Sequence, residues 1–175
     1  MAASLPDGAT VHIVTGYAAE KSITAATNAA ECVISVTAHD CIVGDEIEVT
    51  SGWGGLNGRV FRVTKADAGT LTLGNVNTTD TDNFPAGGGV GKMRKITKWT
   101  QITQILELTT SGGEPGTVDF SYLEENFTRR LVSASAAQSV EIGVADDPTL
   151  PGYQAAKKAS DNREEVAMTV VLKRN

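Results

Sequence analysis

Histidine and cysteine are scarce in this chain, two of each in 175 residues, and their scarcity removes several kinds of chemistry. His12 and His39 stand 27 positions apart, and neither falls in a spacing with cysteines or carboxylates that would hold zinc. No metal site is expected, and both read as strand or turn residues. Cys32 and Cys41, nine positions apart among apolar neighbours, cannot build a disulfide framework and read as buried, reduced core thiols. Only His39 lies near a cysteine, at an expected turn, so no nucleophile is assigned. Basic excess is missing too: a net charge of -6 argues against a nucleic-acid reader, whose affinity comes from neutralising phosphates. No apolar run approaches the length of a membrane span, and the start, MAASLPDGATVHIV, lacks the basic and apolar regions of a signal peptide. Neither secretion nor membrane insertion is expected. Aromatic residues make up 5%, which weighs against a surface that stacks on sugars.

Small and β-branched residues are plentiful. Eighteen glycines, 41% apolar content and recurrent Val, Ile and Thr favour many short strands around a real core, a mainly β fold. Strands are expected at 11–14, 22–25 and 32–37, then at 45–50, 59–65 and 70–73, punctuated by Gly44-Asp45, Asn57-Gly58, Ala68-Gly69 and Gly74-Asn75. That spacing suits a small barrel. Further strands are expected at 93–97, 117–123, 138–144 and 166–172, with a mixed stretch at 101–110. One helix is expected over 150–161, with Pro151 in its first turn. The acidity is regional, since residues 1–91 carry ten acids and four bases while 92–175 carry eleven of each.

The stretch GDEIEVTSGWGGLNGRVFRVTKA at 44–66 sets two alternating runs around a wide glycine tip with Trp53 at its centre. A lone aromatic without convergent polar groups makes a corner, with Trp53 packed on the barrel, a better reading than a ligand site. Asp80 and Asp82 lack the further oxygen ligands of a calcium loop and read as a solvated turn. The glycines at 87–89 and 112–113 neither precede Lys-Ser/Thr nor open a helix, so they read as turns and not as a phosphate cradle. The acceptor patterns at Asn77 and Asn126 carry no weight without secretion. No catalytic constellation or cofactor site survives, and the chain reads as a non-enzyme.

At this point a resemblance becomes visible. The runs GYAAEKSITAATNA, GWGGLNGRVFRV, KWTQITQILELTTSGG, FSYLEENFTRRL, SVEIGVADDPTLPGYQAA and VAMTVVL closely resemble the tail tube (major tail) proteins of long, non-contractile-tailed bacteriophages. Most specific are Glu124-Glu125-Asn126-Phe127 and the string from Ala145-Asp146-Asp147-Pro148 to Pro151-Gly152-Tyr153. The resemblance implies a tail tube β-sandwich over 1–29 and 92–175 with one short helix. It also implies hexameric rings stacked into a tube that conducts double-stranded DNA without binding it specifically. Expected partners are the chain itself and the tape measure, tail tip and terminator proteins, in a virion tail assembled in the host cytoplasm. Residues 30–76 are similar to a small β-barrel module that recurs in phage tail and fibre proteins, and 30–91 read as an inserted small β-barrel. Family members usually continue past 166–172 into a further hairpin, whereas this sequence stops at Leu172-Lys173-Arg174-Asn175, so either the sequence is cut short there or the last strand leaves an edge open.

Two sets of functional residues follow. Contacts between rings are expected from Ser111, Gly112 and Gly113 in the 111–116 turn and from Glu125, Phe127, Arg129 and Arg130 in a long connection over 124–135. Alternation places Asp119 and Ser121, and Ser139 and Glu141, opposite the apolar side of their strands; with Thr169 these are the candidates to line the bore, which must repel or release phosphates. Two rivals stay open: another tail component, distal tail or terminator, and a carbohydrate-binding adhesin in which Trp53 or Trp99 stacks on a sugar.

Overall fold

The computed structural model describes residues 8–172; Met1–Asp7, the bulk of the MAAS start, and the ending Lys173-Arg174-Asn175 lie outside the described residues. The chain divides into two compact units, residues 1–102 with 149–175, and residues 103–148.

In the first unit the strands are β1 (Thr10–Tyr17), β2 (Lys21–Ala26), β3 (Val33–Val36), β4 (Glu46–Ser51), β5 (Arg59–Asp67), β6 (Thr70–Leu73), β7 (Gly91–Ile102) and β12 (Met168–Val171). Their order is β12-β1-β7-β2-β3-β6-β5-β4, and β4 pairs back onto β7. Six strands therefore close into a barrel, and closure removes the unpaired edges that short strands would otherwise expose. β7 makes this possible by being twelve residues long. Met93, in its first half, is paired with Lys21 of β2 on one side and Val49 of β4 on the other. Its second half leaves the barrel and pairs with β1, from Ile96 opposite Tyr17 to Ile102 opposite Val11. β12 lies on the far side of β1, with Thr169 opposite His12, and forms the open edge.

Alternation fills the barrel. Ile34 and Val36, Ile47 and Val49, and Leu71 and Leu73 are buried at two-residue spacing and meet Ile23, Val63 and Met93 in one apolar cluster. Each such side chain contributes about 1.5–3 kcal/mol on burial. Cys32 and Cys41 belong to the same cluster as free thiols. Segment 30–91 supplies four of the barrel strands, and β2 and the start of β7, on either side of it, complete the ring.

The helix α1 (Pro151–Asn162) packs on β7 and β1. Pro151 starts it where a missing N–H costs nothing, and Arg163, in the left-handed region at φ 52, ends it. Its single buried residue is Gly152. A Cβ there would lie 2.4 Å from the Gln101 carbonyl oxygen and 2.8 Å from Ile102 Cα. Gly152→Ala should therefore lift the first turn of α1 at a cost of about 1–3 kcal/mol. Hydrogen exchange should quicken along α1 while the barrel amides hold their rates; unchanged helix exchange would show that the close approach is dispensable.

The second unit holds β8 (Ile105–Ser111), β9 (Pro115–Phe120), β10 (Arg129–Ser135) and β11 (Ser139–Val144). β8 pairs with β11 and β9 with β10, both antiparallel, so the chain runs out and back as one two-stranded arm. One expectation changes here: half of the connection expected over 124–135 is a strand, β10. β9 and β11 belong to different pairs.

Candidate functional site

No residue of the arm is buried. A two-stranded ribbon is marginally stable alone in water, and this one carries apolar residues that nothing in its own unit covers. Cross-strand register sorts them. In the outer half Val118 faces Leu131 and Phe120 faces Arg129, while on the reverse Asp119 faces Arg130 and Thr117 faces Val132. Val118 is 54% exposed and Leu131 59%. In the inner half Leu108 faces Ile142 on one side; on the other, Glu141 faces Thr109, Ser139 faces Ser111 and Glu107 faces Gly143. The inner ribbon thus has an apolar side and an acidic, hydroxyl-bearing side.

Between the halves, Gly112 and Gly113 take φ of 83° and 79°, a region that suits glycine and strains other residues. Gly113 N–H donates to Ala136 C=O at 3.0 Å and Ala136 N–H to Glu114 C=O at 2.9 Å. The expected turn at 111–116 is therefore a joint within the arm, and the chain reverses instead at 121–128. That tip is stapled from within. Arg129 Nε donates to Glu125 Oε2 at 2.8 Å and its guanidinium lies 5.2 Å from the Phe127 ring centre and 5.6 Å from that of Tyr122. Phe120 meets Tyr122 edge-on at 5.4 Å. Arg130 grips Asp119 with two hydrogen bonds of 2.6 and 3.0 Å, and this partner holds the Asp119 carboxyl below its usual range. So Arg129 and Arg130 are engaged within the arm, and Asp119 is a neutralised acid, whereas Glu141 and Glu107 have no ion-pair partner among the described residues, Glu107 accepting only the Thr109 hydroxyl at 3.2 Å.

The family model for the phage tail tube protein, TTP, matches residues 51–175, which take in three barrel strands, the whole arm, the helix and the last strand. The chain belongs to the phage tail tube protein family. No curated protein matches the chain. As a tail tube protein it is a structural component of the virion, a class that acts by assembling with copies of itself and with other tail proteins. Among the described residues no helix is long and apolar enough to cross a membrane.

In this tail tube protein Trp53 is a corner residue. It is 1% exposed, its indole N–H donates to the Pro85 carbonyl at 2.8 Å, and Phe84 meets it edge-on at 5.3 Å. Leu56 and Asn57 N–H both donate to the Trp53 carbonyl, closing the tip. The run of glycines at 87–89 forms the other side of the seat: a Cβ on Gly89 would come within 2.9 Å of the indole. A ring held this way cannot stack on a sugar from solution. Asp80 serves the same loop, accepting hydrogen bonds from Asp82 N–H at 3.0 Å and Asn83 Nδ2 at 2.6 Å just before Phe84.

Other polar residues also have structural tasks. Burial pushes the thiols of Cys32 and Cys41 up, away from nucleophilic character. His39 hydrogen-bonds the Asp67 carbonyl at 2.7 Å. On the outside of the barrel, Glu48 accepts from Tyr17 at 2.5 Å and from Arg94 at 2.9 Å, with Arg94 stacked 3.8 Å from the Tyr17 ring centre. Glu46, two residues along the same strand, accepts from the Trp99 indole at 2.7 Å. These bonds tie β4 to β1 and β7. Of the bore candidates outside the arm, Thr169 is half-buried on β12.

Proposed function

We propose that the chain forms hexameric rings that stack into the tail tube, a conduit for DNA ejection, and that the arm makes the contacts between subunits. One observation carries this: 46 consecutive residues, 103–148, fold as a ribbon without a buried residue, and such a ribbon gains its stability from neighbours. The tube is assembled in the host cytoplasm, with the tape measure, tail tip and terminator proteins as further partners. The segment 30–91 acts as an inserted decoration module on the tube subunit. Glu141 and Ser139, with Glu107 beside them, are the strongest bore candidates, because an acidic wall repels phosphates and lets DNA pass. Nothing in the reading requires catalysis.

Negative-stain microscopy of the purified chain should show rings and tubes; a strict monomer at every concentration would defeat the reading. The double variant Arg129→Glu, Arg130→Glu should keep the barrel folded and stop tube growth, because Glu125 and Asp119 would then face like charges and the tip would splay. Tubes of normal length from that variant would remove the tip from the contact.

A further inference from the structure

Net charge is split between the two units. Residues 103–148 hold eight acids and two bases, a charge of -6, which leaves thirteen of each in the remainder and a charge of zero there. Both arm bases are spent on arm acids. At the tip, Glu124 is exposed and has no ion-pair partner among the described residues, and Leu123 is 105% exposed, an apolar knob beside an open carboxylate.

The first unit carries an open feature of opposite character. A groove of about 600 Å³ runs along the outside of the barrel beside the open edge strand, lined by Val60, Trp99, Met168, Arg59, Arg62 and Glu46. Arg59 and Arg62 are exposed and have no ion-pair or hydrogen-bond partner among the described residues. Glu46 is already bonded to the Trp99 indole, so two guanidiniums against one carboxylate leave the groove positive. Its apolar floor is Val60, Trp99 and Met168.

We propose that this groove is the docking site for the arm tip of a second copy, with Leu123 on the floor and Glu124 between Arg59 and Arg62. The inference rests on the tube reading and supplies the receiving surface that reading lacks. Charge and the apolar lining both favour this occupant. A guanidinium pair recognises a carboxylate through charge-assisted hydrogen bonds, and an apolar floor between them wants a single aliphatic knob. A phosphate backbone fits less well, because two arginines beside a carboxylate give no extended track of positive charge. One tip in one groove is a small contact; repetition around a ring makes it sufficient, since each further tip binds at high effective concentration.

The test begins with single-cysteine variants, Leu123→Cys in one preparation and Arg59→Cys in another, the native thiols being buried. Mixed, assembled and mildly oxidised, they should form an interchain disulfide that neither forms alone. Separately, Arg59→Glu with Arg62→Glu should raise the concentration needed for tube growth roughly tenfold or more, as loss of charged hydrogen bonds at each contact requires, and adding Glu124→Lys should recover part of the loss. Wild-type protein that never assembles would overturn the tube reading itself. Wild-type tubes with no cross-link, and unimpaired growth of the arginine variant, would overturn the docking alone. So would DNA binding by the soluble subunit that disappears with Arg59 and Arg62, since it would give the groove a different occupant.

Discussion

Replacing Trp53 by alanine should lower stability by about 3–5 kcal/mol, the cost of emptying a large aromatic site that can collapse only in part. Three surfaces lose contact at once: Phe84, the glycines that seat the ring, and the barrel cluster to which Trp53 belongs. The Pro85 carbonyl also loses its donor. For a chain of this size the melting temperature should fall by on the order of 10 °C or more, as followed by circular dichroism. Trp99→Phe should cost much less, because Trp99 is only half-buried and its indole serves one hydrogen bond to Glu46. In that variant Trp53 is the sole indole and should emit at short wavelength, as a ring without water does. A Trp53→Ala protein with wild-type stability would return the tip to the ligand reading.

The barrel was legible in the sequence because one face of each strand is buried, and burial imposes period two. Ile47 and Val49 alternate with glutamates, and Leu71 and Leu73 with threonines, so β4 and β6 fall within a residue of their expected limits. The corner role of Trp53 was legible for a related reason: its loop offers no converging polar groups. Its seat was not, since Pro85 and the glycines at 87–89 work through a carbonyl and through missing side chains, neither of which leaves a pattern of hydrophobicity. β7 was half legible. Its two halves face different partners, and its bases Lys92, Arg94, Lys95 and Lys98 mark only positions that are not buried, so a single twelve-residue strand looked like a short one followed by a mixed stretch.

The arm was the hardest part to read, and its physics explains why. Alternation is a record of burial, and in a ribbon exposed on both faces Leu131 and Val132 can stand side by side, pointing opposite ways, without penalty in the single chain. β10 therefore carries no strand signature, and the segment looked like a connection. The family resemblance pointed to contact residues in this region but not to the engagement of its arginines. Arg129 and Arg130 look free in sequence because their partners, Glu125 and Asp119, sit across a turn or across a strand pair. The same hidden pairing splits the acids of the arm into spent ones and open ones, which no count of charge over sequence halves distinguishes.

A two-site change on the apolar face of the outer ribbon should abolish assembly while sparing the subunit. Val118→Asp with Leu131→Asp places two carboxylates directly opposite each other on the face that carries Val118, Leu131 and the half-buried Phe120. In the isolated chain the cost is small, since both side chains are already more than half in water and surface changes of this kind stay within about 0.5 kcal/mol. The barrel contains neither residue, so its melting transition should not move. If the arm makes the subunit contacts proposed above, however, that face meets a neighbour in the tube, and two like charges forced together without counter-ions cost far more than the lost apolar contact. The expected result is a well-folded protein that forms no tubes at any concentration by light scattering or microscopy. Thr117→Asp, one position away and on the opposite face beside Val132, is the matched control and should be much less damaging. Equal loss in both variants would mean that the arm tolerates no added charge anywhere, and tubes from the double variant would show that this face looks outward to solvent in the assembled tail.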